Sequence, residues 1–98
     1  MGEAFMCSLC HKGILGGGLY LDAQAVTYRT QKLTVDPKYK VLALPLKEIE
    51  SVEWKWILFP VATFRMKNGE KYRFLIFNKM RFTKYYQEYR DNHELREM

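Results

Sequence analysis

Val61-Ala62-Thr63-Phe64-Arg65-Met66-Lys67-Asn68-Gly69-Glu70-Lys71-Tyr72-Arg73-Phe74-Leu75-Ile76-Phe77 is the stretch that decides the fold. Two runs with period-two alternation, 61–66 and 70–77, flank Asn68-Gly69, the usual signal of a two-residue hairpin turn. Such a turn would oppose Lys67 to Glu70, and with them Arg65 to Tyr72 and Thr63 to Phe74, mixing charges and aromatics on both faces. A three-residue loop, Lys67-Asn68-Gly69 with Gly69 left-handed, opposes Met66 to Glu70 instead. Ala62, Phe64 and Met66 then share a face with Tyr72, Phe74 and Ile76, while Thr63, Arg65, Lys71 and Arg73 share the other. A slip of one residue sends every side chain to the wrong face, so burial selects the three-residue loop.

The same alternation extends towards the N-terminus. Glu3 to His11 reads as a first strand, and Leu19-Tyr20-Leu21 as a second, which Asp22-Ala23 turns into a third carrying Val26, Tyr28 and Thr30. Gly13, Gly16, Gly17 and Gly18 lack the Gly-Lys-Ser/Thr ending of a phosphate loop and are expected to form a bend or bulge between the first two strands. Thr34 to Lys38 is a polar loop around Asp36-Pro37. Tyr39 to Leu46 reads as a fourth strand, Lys47-Glu48-Ile49 as a turn, and Val52, Trp54 and Trp56 as one face of a fifth strand. Past Asn78, a good N-cap, the period changes. Phe82, Tyr85, Tyr86 and Tyr89 fall at i, i+3, i+4 and i+7, one apolar stripe of a helix over about 79–91. Residues 92–98 are charged and expected to fray.

The chain has 98 residues, 48% of them hydrophobic and 15% aromatic, enough for one core and one domain over 1–98. Met1 reads as a natural start. No apolar run reaches the ~18–20 residues that span a bilayer, and no basic-then-apolar leader opens the chain, so a cytoplasmic domain is expected. With two histidines, two serines and three scattered aspartates, no nucleophile, base and orienting group can be drawn together, and the chain reads as non-enzymatic. Cys7-Ser8-Leu9-Cys10-His11 matches the pattern of haem attachment on paper and offers three metal donors. The plainer reading is a strand that puts Cys7 and Cys10 on opposite faces, and no cofactor is expected.

Seven strands in meander order and one amphipathic helix make a mainly β domain, a sandwich or barrel with the helix against it. Three segments carry a resemblance. Gly17-Gly18-Leu19-Tyr20-Leu21-Asp22 with Ala25-Val26-Thr27-Tyr28 is similar to the opening of a GRAM domain. Leu44-Pro45-Leu46-Lys47-Glu48-Ile49-Glu50-Ser51-Val52 resembles the family's apolar strand, short turn and Ile-x-x-Val segment. Phe64 to Phe74 resembles its glycine hairpin. The likeness spans roughly residues 13–90. GRAM domains are similar to pleckstrin-homology (PH) domains, so it implies seven antiparallel strands in two near-orthogonal sheets capped by the C-terminal helix. The implied core is Leu19, Leu21, Val26, Tyr28, Leu42, Leu44, Ile49, Val52, Trp54, Phe64, Tyr72, Phe74, Phe82 and Tyr86.

Such scaffolds bind lipids, peptides or other subunits, and the fold alone does not choose among them. The phosphoinositide-binding PH pattern has a basic residue in the first strand or loop, here Lys12, and a basic pair on the second strand. Leu19-Tyr20-Leu21-Asp22 departs from it, which leaves charge attraction to anionic membranes rather than headgroup recognition. With a net charge of +5, the best basic patch is Arg65, Lys71 and Arg73 on the hairpin face, joined by Lys67 at its tip and by Lys12. Ile57-Leu58-Phe59, before Pro60, forms a second candidate, an apolar contact tip between the fifth and sixth strands. Three readings follow: a module for a protein partner or self-association; a peripheral module on anionic membranes; and a metal or thiol protein centred on Cys7, Cys10 and His11. Nucleic acid, which would use the same charge with Tyr20 or Tyr39 stacking on bases, lacks an accompanying motif. A small-molecule substrate is not expected.

Overall fold

The hairpin fixes the register of the sheet around it. In the computed structural model, which describes residues 2–10, 14–31, 37–56 and 58–97 with side chains through 92, Met66 donates its N–H to Glu70 O at 2.8 Å. Gly69 has φ +94°, and its N–H closes the loop on Met66 O at 3.0 Å. The three-residue loop is therefore the one formed. Phe64 pairs with Tyr72, Ala62 with Phe74, and Arg65 with Lys71.

The strands are β1 (Glu3–Cys10), β2 (Ile14–Leu21), β3 (Ala25–Arg29), β4 (Val41–Pro45), β5 (Ile49–Trp56), β6 (Pro60–Met66) and β7 (Lys71–Ile76). One helical turn, α1 (Pro37–Lys40), precedes β4, a 3-10 turn (Leu46–Glu48) links β4 to β5, and α2 (Lys79–Glu97) closes the chain. The sheet order is β4-β3-β2-β1-β7-β6-β5, antiparallel throughout. The two expected sheets are thus one, because β1 pairs with both β2 and β7. Phe5, Leu9, Leu19, Tyr28, Phe64, Phe74 and Ile76 lie on the inner face and are buried.

Four local expectations change. Gly16, Gly17 and Gly18 lie inside β2, paired with Ser8, Cys7 and Met6, and not in a bend. A Cβ on Gly17 would stand 2.3 Å from Arg29 O and 2.9 Å from the Tyr28 ring, so glycine there lets β2 and β3 close over that ring. Residues 38–40, read as polar loop and strand start, belong to α1, and Leu46 belongs to the 3-10 turn. Pro37 suits the first helical position, where its missing N–H costs nothing. Of the expected core, Val52, Trp54, Tyr72 and Tyr86 are only partly buried, whereas Phe5, Cys7, Leu9, Leu46, Ala62, Met66 and Ile76 complete it.

The helix begins where expected. Arg81 N–H donates to Asn78 Oδ1 at 3.2 Å, a side-chain N-cap. It continues to Glu97, past residue 91, helped by Gln87 Nε2 donating to Asp91 Oδ1 at 2.9 Å one turn on. Phe82 is fully buried, edge-on to Phe5, Trp54 and Phe64 and stacked on Tyr86. Arg90 donates to Leu46 O and, at 2.6 Å, to Ile49 O, tying the helix to the chain between β4 and β5. Its outer partners are backbone carbonyls, which no sequence pattern announces.

Candidate functional site

With Ala62, Phe64 and Met66 facing inward, the residues between them on β6 face out, and so do their cross-strand partners. Glu53 pairs with Thr63, Lys55 with Val61, and Thr63 with Arg73. Lys55, Arg65, Lys71 and Arg73 therefore share the outer face of β5, β6 and β7 around one acid, Glu53. They border a shallow depression of about 370 Å³. Arg65 Nε lies 2.8 Å from Glu53 Oε1. That exposed pair adds little stability but cancels one positive charge. Among the described residues, Lys55, Lys71 and Arg73 stand in no ion pair. Lys67 is exposed in the loop beyond them. Lys12 and His11 lie outside the described residues. Lys55 was not singled out in the sequence, although its two-residue offset from Glu53 places it on the same face.

The register across β7 and β1, Leu9 opposite Phe74, carried on one residue, sets Cys10 beside Arg73. A cleft of about 470 Å³ opens there, bordered by Lys38, Tyr39, Glu70 and Tyr72 as well as Lys71 and Arg73. Lys38 sits over the Tyr39 and Tyr72 rings, and Tyr72 donates its hydroxyl to Glu70. Burial, that bond and the Glu70 charge push the Tyr72 phenol up to about 12, so it remains a neutral donor. Cys7 faces the core and Cys10 the outer face, and both are free thiols. Burial pushes the Cys7 thiol up to about 12. Burial raises Cys10 as well, against the lowering pull of the Leu75 backbone and Arg73. Neither is therefore held as a thiolate by its surroundings.

The other end of the outer face is apolar. Val61 pairs with Leu75, and the same register carried on one step of the pleat brings Phe59 to Phe77. Their rings meet edge to face, centroids 5.9 Å apart. Phe77 N–H donates to Met6 O at 3.4 Å, extending this row to β1. Leu58 is 81% exposed, Met6 77%, Phe77 53% and Phe59 49%. Leu58 and Phe59 are thus exposed at this tip, with Phe59 packed on Phe77, and Ile57 lies outside the described residues. The sequence singled out Leu58 and Phe59. Phe77 joins them through the β6–β7 hairpin register, and Met6 only through pairing of strands about 70 positions apart in the chain.

Among the described residues, no helix is long and apolar enough to cross a membrane. Among the described residues, which do not include His11, no group of three His, Cys, Asp or Glu stands close enough to hold a metal ion. No protein-family model matches the sequence, and no curated protein matches it. A solved structure of similar shape is the C-terminal domain of an unknown protein from Leishmania infantum. It superposes with a TM-score of 0.70 at 8% identity, covering 89% of this chain and 81% of that one, a likeness of fold alone.

Proposed function

We propose that this chain is a non-catalytic interaction module of PH/GRAM-like type that rests on anionic membrane surfaces through the outer face of β5, β6 and β7. The observation that carries this reading is the company of Lys55, Lys71 and Arg73 on one sheet face, where the acid among them, Glu53, is already paired to Arg65. Near an anionic leaflet each Lys or Arg is worth about 1 kcal/mol, so three give weak, reversible adsorption that salt screens. A face spread over three strands suits a charged plane better than a single headgroup. That agrees with the absence of a basic pair in Leu19-Tyr20-Leu21-Asp22.

Co-sedimentation with neutral and phosphatidylserine-containing vesicles, at low and near-physiological salt, tests it. Adsorption to the anionic vesicles alone, weakened by salt and lost in Lys71→Glu/Arg73→Glu, is the expected result. Failure of the wild-type chain to adsorb at low salt overturns the membrane reading, and a protein partner or a second copy then becomes the occupant to seek.

A further inference from the structure

Leu58, Phe59, Phe77 and Met6 leave a cluster of large apolar side chains in water at one end of the cationic face, where surface turns ordinarily carry polar residues. Trp56, at the end of β5, is also largely exposed. The charges around this end are cations. Lys55 stands opposite Val61, one step of the pleat away, and Lys79 at the start of α2 sits over the Trp54 ring. The nearby acids Glu53 and Glu3 are each engaged by an arginine. A second copy packed on this end would bring the two sets of lysines together, and their repulsion argues against self-association there. An anionic bilayer has the complementary layering, with negative headgroups for the lysines and acyl chains beneath for the rings.

We infer that Leu58, Phe59, Phe77 and Met6 form an insertion wedge that enters the interfacial layer of an anionic bilayer while the cationic face rests on its headgroups. This inference depends on the membrane reading above. Binding then has two separable parts, a charge part that salt removes and an apolar part that salt leaves in place. Trp56, opposite Pro60 at the same end of the sheet, reports whether that end enters the bilayer.

The experiment uses phosphatidylcholine–phosphatidylserine vesicles whose acyl chains carry bromine at mid-depth, in the Trp54→Phe background so that Trp56 is the sole emitter. Trp56 emission is expected to shift blue and be quenched on binding. In Phe59→Ser/Phe77→Ser, low-salt binding should fall less than threefold. At near-physiological salt it should fall tenfold or more, about 1.4 kcal/mol, and quenching should disappear. Both positions are half exposed, and an unchanged circular dichroism melt confirms that the variant folds. Wild-type binding at low salt without quenching, together with an unaffected double variant, overturns the wedge and leaves adsorption standing. Absence of any low-salt binding overturns both.

Discussion

Gly17 and Gly16 are neighbours in β2 with opposite duties. A Cβ at Gly17 points inward against Arg29 O and the Tyr28 ring, whereas one at Gly16 points outward and meets nothing within 4 Å. Tyr28 holds this spot by donating its hydroxyl to Leu15 O at 2.7 Å. Gly17→Ala should therefore destabilise the chain by about 1–3 kcal/mol, and Gly16→Ala should stay within about 0.5 kcal/mol of wild type. Denaturant midpoints check both. From composition the run of glycines signals a bend, and only the pairing of β2 with β3 shows that one of them is a packing requirement. The cysteines separate in the same way. Cys7, at about 12 when folded against an ordinary 9.0, keeps its proton more tightly in the folded than in the unfolded chain. Its contribution is complete below pH 9 and is lost as pH climbs towards 12. Tyr28 and Tyr86, raised by burial, act in the same direction. Melting temperature should fall over that range, and less steeply in Cys7→Ala, which will start lower at pH 7 because of the cavity it leaves. A steeper decline in Cys7→Ala would contradict the assignment.

Among the elements, α2 is the one whose removal the sheet cannot absorb. Phe82 closes the core against Phe5, Trp54 and Phe64, so Phe82→Ala should cost about 3–5 kcal/mol. Asn78→Ala, which removes only the cap, should cost about 1 kcal/mol. Thermal unfolding of the two variants gives the comparison, and equal losses would mean that the helix contributes by propensity and not by packing. Both features were legible beforehand, the cap from Asn78 and the packing face from the 82, 85, 86, 89 spacing. The β6–β7 hairpin was equally legible, because one register buries Phe64 and Phe74 together and the other does not. Local periodicity decides such elements. The union of the two halves of the sheet was not legible, since β1 meets β7 across most of the chain length and neither strand's pattern names its partner. For that reason the basic half of the outer face could be drawn from the hairpin alone. The apolar end required Met6 and Phe77 to be brought together by the fold.

The whole molecule measures 42 × 28 × 28 Å, several Debye lengths across at physiological salt, where that length is about 8 Å. A membrane therefore senses the charges on the face turned towards it and little of those on the far side. Net charge and face charge make different predictions on this point. Lys71→Glu/Arg73→Glu and Lys47→Glu/Lys84→Glu each bring the formal charge from +5 to about +1, since each reversal changes it by two. Lys47 and Lys84 are exposed but lie on the 3-10 turn and α2, away from the β5–β7 face. If orientation governs binding, the first pair should weaken adsorption to anionic vesicles at near-physiological salt by an order of magnitude or more, and the second by less than threefold. Losing two surface cations and gaining two anions on the contact face sacrifices at least about 2 kcal/mol of attraction. The same reversals on the far side are screened to a fraction of that. Vesicle titrations of the two variants side by side measure the ratio. Equal losses would mean that the chain is held by its overall charge, with no preferred face. A loss confined to the first pair would place the contact on the strands that carry Lys55, Lys71 and Arg73.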